Sequence, residues 1–124
     1  MGSLVIANNT STKITKKAQS TNSLLTTTPA VTLLTTTINE YCDIYTLIAS
    51  YVSGVTGIGG LIVEAQDNST GYVYFSNTGA ISLNNSAGVI QLKLLPNSSL
   101  IARVTANSGT FNFNISGIAV TNSP

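Results

Sequence analysis

Apolar positions recur at every second residue on both sides of the short polar segment Ala106–Gly109. They are Leu100, Ala102 and Val104 before the segment, and Phe111, Phe113 and Ile115 after it. Period-two alternation is typical of strands with one buried face, and an Asn/Ser/Gly segment between two such strands predicts a hairpin. We therefore expect Ser99–Val120 to form two paired strands, with the phenylalanines in a core and Asn112, Asn114 and Ser116 on the opposite face.

A second long run, Tyr41–Ser53, is apolar on both of its faces. A helix is the competing interpretation, because four of its apolar residues also fit a 3.6-residue period. We favour a strand, because the run is rich in β-branched and aromatic residues and is followed by the glycine-rich segment 54–60. Three tyrosines, Tyr41, Tyr45 and Tyr51, are expected on one face of this strand.

Shorter runs, separated by Gly, Asn and Pro, predict the remaining strands. They are Leu4–Ala7, Val31–Thr36, Leu61–Gln66, Tyr72–Ser76, Ile81–Leu83 and Gly88–Leu95. Short strands with Gly/Asn turns are typical of β-sandwiches and barrels. The predicted fold is all-β: an eight-strand antiparallel β-sandwich, or jelly roll, with an extended N-terminal arm. An immunoglobulin-like sandwich is the alternative, although the chain lacks the Cys–Trp–Cys framework of antibody domains.

Residues 1–37 differ in composition from the rest of the chain. They contain Lys13, Lys16 and Lys17, which are three of the five basic residues, and no acidic residue. They also contain two threonine runs and a strand-breaking proline, Pro29. We interpret residues 1–37 as an extended arm and residues 38–124 as the β-sandwich domain. On this interpretation, deletion of residues 1–30 leaves a folded body.

The chain is poor in charge: only 7% of its residues are charged, its net charge is +1 and its mean hydropathy is +0.31. Ser, Thr and Asn together make up more than a third of the sequence. Because so little charge keeps copies apart, we expect much of the surface to be covered in an oligomer or a larger shell. No apolar run approaches the ~20 residues of a membrane span, and the N-terminal residues lack the pattern of a signal peptide.

Catalytic chemistry has little support in the sequence. The chain has no histidine and one cysteine, Cys42, which removes the commonest general base and the commonest metal ligand and comes close to excluding a zinc site. The carboxylate pair Glu64 and Asp67 suggests glycoside hydrolysis only weakly. We expect these groups to be solvated strand ends or partners of Lys93 and Arg103. No enzyme activity, cofactor or metal is predicted, and Cys42 is expected to be buried.

The only cluster of three like charges in the sequence consists of Lys13, Lys16 and Lys17. Three lysines without an aromatic partner are a weak signal for nucleic acid, so no nucleic-acid partner is expected. We interpret the three lysines as contacts to an acidic surface of a protein partner.

The run Tyr45–Val120 resembles the small β-sandwich decoration (cement) proteins on the heads of tailed bacteriophages. The resemblance lies in the long strand ending Ser50-Tyr51-Val52-Ser53, in the strand–turn unit Leu61–Gly71, and in Leu95–Leu100 followed by SGTFNFNISGIAV. It implies a jelly-roll body that forms a homotrimer on the outer capsid surface, with an arm reaching over neighbouring capsomers. The major capsid protein would then be the partner, and the protein would be made in the host cytoplasm and located in the virion.

The function predicted from the sequence is therefore a non-enzymatic virion structural protein, a capsid decoration protein that stabilises the head. The alternative is a receptor- or carbohydrate-binding knob of a phage fibre or turret, in which Tyr45 and Tyr51 would contact the ligand.

Overall fold

The computed structural model describes residues 10–27, 29–54, 61–78, 91–105 and 109–123. Within these residues the chain forms eight strands. They are β1 (Thr10–Leu24), β2 (Val31–Thr35), β3 (Glu40–Gly54), β4 (Leu61–Asp67), β5 (Val73–Thr78), β6 (Leu92–Leu94), β7 (Ser98–Val104) and β8 (Gly109–Ser123). The predicted strands Leu4–Ala7 and Ile81–Leu83 lie outside the described residues.

The strands form two antiparallel sheets with the orders β1-β8-β3-β6 and β2-β7-β4-β5. The topology is that of a ribbon folded at its middle: β4 pairs with β5, β3 with β6, β2 with β7 and β1 with β8. The ribbon is wrapped so that β8 also pairs with β3, and β7 with β4. This arrangement is a jelly roll, as predicted, and the immunoglobulin-like alternative is wrong.

The two strands of the predicted hairpin exist but do not pair with each other. β7 pairs with β2 and β4, whereas β8 pairs with β1 and β3 in the other sheet. The connection between β7 and β8 therefore leads from one sheet to the other. Alternation along a strand reports which face is buried and says nothing about the partner strand, which is why the hairpin prediction is wrong.

The core lies between the two sheets and contains the residues that the alternation placed there. Phe111, Phe113 and Ile115 are buried, while Asn112 on the opposite face of β8 is exposed. From the other sheet, Leu61, Val63, Leu100 and Ala102 are also buried. The two phenylalanine rings lie 6.3 Å apart, a spacing typical of packed aromatic pairs.

β3 is a strand along its whole length, so the helical alternative for this run is wrong. A β-bulge lies between Ile44 and Thr46, where the pairing with β8 shifts by one residue. Before the bulge Cys42 and Ile44 are buried, and after it Leu47 and Ala49 are buried. A bulge exchanges the two faces of a strand, which explains why both faces of this run are apolar in the sequence.

Gly117 of β8 lies directly opposite Ile44, next to the bulge. A Cβ at this position would stand 2.9 Å from both the carbonyl oxygen of Asp43 and Sγ of Cys42. The glycine therefore permits the close approach of β8 to β3, and any side chain would push the two central strands apart.

Three loops at one end of the sandwich are joined by hydrogen bonds around Asn97, whose φ of 53° lies in the left-handed region. The Asn97 amide donates to the carbonyl oxygen of Thr37 (2.8 Å), and its side-chain amide donates to Ser69 Oγ (2.7 Å). The Asn68 amide donates in turn to the carbonyl oxygen of Asn97 (2.9 Å). Asn tolerates left-handed backbone better than most residues, so this position suits it.

The arm prediction is corrected for residues 10–35, which supply strands β1 and β2. β1 pairs with β8 over all 15 of its residues, and Leu24 at its end is only 1% exposed. The five-residue β2 covers only part of the inner face of β1, so β1 carries Ser, Thr and Lys where a central strand would carry apolar residues. That polarity concealed the strand in the sequence. For residues 1–9, which lie outside the described part, the arm stays a prediction.

Deletion of residues 1–30 is therefore expected to destroy the fold, because it removes a strand of the first sheet and opens β8 to solvent. Circular dichroism and heat-capacity measurements should show no cooperative unfolding transition. The point variant Leu24→Ala should still fold, with a free energy of unfolding lowered by about 2–5 kcal/mol. A deletion variant that unfolds cooperatively at the wild-type temperature would contradict this assignment of β1.

Candidate functional site

The structure separates the three lysines of the predicted partner-binding cluster. Because side chains alternate along β1, Lys13 and Lys17 lie on the outer face of the first sheet, and both are exposed. Lys16 points to the inner side, where its Nζ lies 3.5 Å from Oε2 of Glu40. Glu40 is 8% exposed, and its Oε1 also accepts a hydrogen bond from the Thr37 amide (3.2 Å). Lys16 thus has a structural partner within the chain.

A lysine outside the predicted cluster, Lys93, also lies on the outer face, at the opposite edge of the same sheet. Lys93 lies on β6 in register with Asp43 of β3, and its Nζ stands 4.2 Å from the centroid of the Tyr41 ring. Such a cation–π contact holds the ammonium group over the ring. The sequence analysis missed Lys93 as a site residue because it is more than 70 positions from the cluster. Its one sequence signal is its place between the apolar Leu92 and Leu94 of a strand.

Apolar side chains occupy the middle of this outer face, on the two central strands β3 and β8. Tyr45 is 46% exposed and Ile118 is 40% exposed. Val120 lies on the same face, in register between Lys13 of β1 and Tyr41 of β3, and is only 5% exposed. Tyr41 and Tyr45 share this face, as predicted; the side chain of Tyr51 lies outside the described part. We call the surface formed by Tyr41, Tyr45, Ile118, Lys13, Lys17 and Lys93 the lysine-rimmed face.

The other half of the same outer face is polar and almost uncharged. Hydroxyl and amide side chains form pairs across β1 and β8: Thr21 donates to Asn112, and Ser23 and Thr110 share a hydrogen bond of 3.0 Å. Two shallow, open depressions of about 380 and 440 Å³ lie here and share Gln19 and Asn114. Side chains of this kind bind water and polar ligands, but they supply neither a general base nor an activated nucleophile.

The carboxylates that were weighed as catalytic candidates have structural partners. Oε1 of Glu64 accepts a hydrogen bond from Arg103 Nε at 2.9 Å on the outer face of the second sheet. That bond raises the pKa of the Arg103 guanidinium above its ordinary value. Asp67 accepts two hydrogen bonds from Thr70, from the hydroxyl at 2.7 Å and the amide at 2.9 Å. Those bonds lower the pKa of Asp67 and close an Asx-type turn.

Cys42 is a free thiol in the core, fully removed from solvent. Burial raises its pKa, which keeps the sulfur protonated and unreactive. Among the described residues, no three His, Cys, Asp or Glu side chains are grouped so that they could hold a metal ion. Nor does the described part contain a helix with the length and apolar character of a membrane span.

Comparison with known proteins gives a likeness of fold. No protein-family model matches the chain. No curated protein sequence matches it either. A chain from the structure of Bacillus endospore appendages, a family of disulfide-linked pili, superposes with a TM-score of 0.64 at 17% identity; the match covers 99% of this chain and 100% of the pilus chain. A chain from infectious bursal disease virus, Gt strain, gives a TM-score of 0.44 at 12% identity over 93% of this chain and 33% of that one.

The full-length match means that this protein and the pilus chain share the same all-β fold. The virus match is too distant to carry an argument. The resemblance to phage decoration proteins stays a prediction, because neither kind of sequence comparison matches a family.

The contact between Lys16 and Glu40 predicts that the lysines of the cluster differ in their effect on stability. Lys16→Gln leaves the Glu40 carboxylate largely buried without its cation, so the free energy of unfolding should fall by about 1–2 kcal/mol. Lys13→Gln, on the exposed outer face, should change it by less than about 0.5 kcal/mol. Urea unfolding measures both values. Equal effects of the two substitutions would contradict the separation of the lysines described above.

The Asp67 turn predicts a loss of stability in acid. The pKa of Asp67 in the folded chain lies below its ordinary value of 3.8, so the hydrogen bonds from Thr70 stabilise the fold above that pH. This contribution should disappear as the pH falls through the lowered pKa. Urea unfolding between pH 5 and pH 2 should show a smaller pH dependence for Asp67→Asn than for the wild type. A pH dependence in Asp67→Asn equal to that of the wild type would contradict the assignment to Asp67.

Proposed function

We propose that this chain is a non-enzymatic structural subunit that works by assembling into a larger particle. The observation that carries the proposal is the number of large apolar side chains left exposed on a nearly neutral jelly roll. They are Ile14, Leu25, Ile38, Tyr45, Val52, Tyr72, Val73, Leu95 and Ile118. A net charge of +1 opposes association only weakly. Two of them, Tyr45 and Ile118, lie on adjacent central strands of the same outer sheet face, and exposed apolar residues grouped on one face are typical of an interaction site.

The particular role that we propose first is capsid decoration. A homotrimer of jelly rolls bound to the outer surface of a capsid would bridge neighbouring copies of the major capsid protein. Because it binds the assembled shell and not its separated parts, mass action would stabilise the shell without chemistry. The sequence resemblance described above supports this role, and so does a compact body with one broad, uncovered sheet face.

A pilus or other filament subunit is the second candidate. Support comes from the likeness to the endospore appendage chain, in which 99% of this chain is matched to 100% of the pilus chain. The disulfide links named for those pili could not be repeated from subunit to subunit in a filament of this chain. A single buried cysteine can link two copies at most, so a filament of this chain would be held together without a continuous series of disulfides.

Light scattering of the purified chain over a range of concentrations, followed by electron microscopy, tests the proposal. Decoration predicts a discrete trimer of about 38 kDa, since the chain has a mass of 12.8 kDa. A mass that grows with concentration, together with visible filaments, would favour the second candidate. In either case, electrophoresis in denaturant without reductant should give the monomer band. A protein that stays monomeric at all concentrations would overturn the proposal.

A further inference from the structure

The charged residues of this chain fall into two groups. The chain has five basic and four acidic side chains. Two ion pairs and one turn engage five of them inside the fold: Lys16 with Glu40, Arg103 with Glu64, and Asp67 with Thr70. The other four, Lys13, Lys17, Lys93 and Asp43, all lie on the outer face of the first sheet.

The arrangement on that face is ordered from the edges to the centre. Lys13 and Lys17 lie on the edge strand β1, and Lys93 lies on the other edge strand, β6. The exposed apolar residues Tyr45 and Ile118 lie on the two central strands between them. Four strands spaced by ~4.8 Å place the two lysine edges roughly 14 Å apart. An apolar centre with a charged rim is the usual composition of a protein interface.

One pair of these side chains is held in place before any partner binds: Lys93 Nζ stands 4.2 Å from the centroid of the Tyr41 ring. Groups held in position in the free protein lose less entropy on binding, and tyrosine is prominent among residues that dominate binding energy. Lys93 and Tyr41 therefore lose less conformational entropy when this face binds a partner.

We propose that the lysine-rimmed face is a docking surface for a protein partner with an acidic rim around an apolar or aromatic patch. This inference rests on the proposed structural role and names the partner's chemistry. Three lysines against one aspartate give the face a positive balance that such a partner would complement. A second copy docked face to face would set lysine rims against each other, which is unfavourable. This face carries no arginine, the residue most used to contact bases and phosphates, because the single arginine of the chain, Arg103, lies on the second sheet; this favours a protein over a nucleic acid.

The probes for the test are two acidic polymers and one nucleic acid: a random copolymer of glutamate and tyrosine, polyglutamate alone, and a short duplex DNA. Binding is measured by fluorescence anisotropy at physiological ionic strength, where long-range charge effects are screened. The wild type should bind the glutamate–tyrosine copolymer more tightly than either of the other probes.

Two double variants with the same change in net charge separate the face from the overall charge. Lys13→Gln with Lys17→Gln should weaken binding of the copolymer by about ten-fold or more. The matched control is Thr32→Glu with Thr35→Glu on β2 of the second sheet, where both threonines are exposed. The control should change the affinity less than about two-fold. Equal losses in both double variants would show an effect of net charge alone and would overturn the proposal.

The apolar centre is tested by Ile118→Ser, which should weaken binding of the copolymer while leaving polyglutamate binding unchanged. Tighter binding of duplex DNA than of the copolymer, or no binding of either polymer, would also overturn the proposal. If Ile118→Ser dissolves an oligomer of the wild type, the occupant of the face is a second copy and the acidic partner is wrong. The polymer assay measures binding at this face and light scattering measures self-association, so failure of the acidic partner is distinguishable from failure of the proposed structural role.

Discussion

The pairing of β1 with β8 is the constraint on which the rest of this structure depends. It joins residues 10–24 to residues 109–123 in an unbroken antiparallel ladder of 15 residue pairs. Every other pair of the folded ribbon lies between these two strands in the sequence, so the ladder closes the jelly roll from outside. Contacts of such long sequence separation form at a cost in chain entropy, and proteins dominated by them fold more slowly than proteins dominated by local contacts. The fold is consequently complete only when both ends of the described chain are in place.

This closure also determines which surfaces the protein presents. The first sheet contains three strands of 15 residues, β1, β8 and β3, and the shorter strands of the second sheet cover its inner face along β8 and β3 but only in part along β1. Nothing in the described chain covers its outer face. Side chains alternate between the two faces along the three long strands. The same strand pairing therefore determines which residues enter the core and which lie on the docking face. A change of register by one residue would exchange the two sets.

Five of the nine charged residues have a partner that stabilises the fold. Glu40 and Glu64 lie at partly or largely buried positions, and each has a cation in contact. Asp67 closes a turn. These groups stabilise the fold, since an unpaired charge at such positions would be costly. The charges that remain are gathered on one face, where they cost little and can attract a partner.

The sequence by itself determined the strands β2 to β5, β7 and most of β8, the buried positions of Phe111 and Phe113, and the weakness of any catalytic interpretation. These properties follow from local alternation and from residue chemistry, which report solvent exposure directly. Only the tertiary structure decided that β7 and β8 belong to different sheets, that the polar stretch from Thr10 to Leu24 is a full strand, and that Lys16 turns inward while Lys93 joins Lys13 and Lys17. The physical reason is that the partner of a strand is chosen by long-range closure of the ribbon, and spacing along the chain does not encode it.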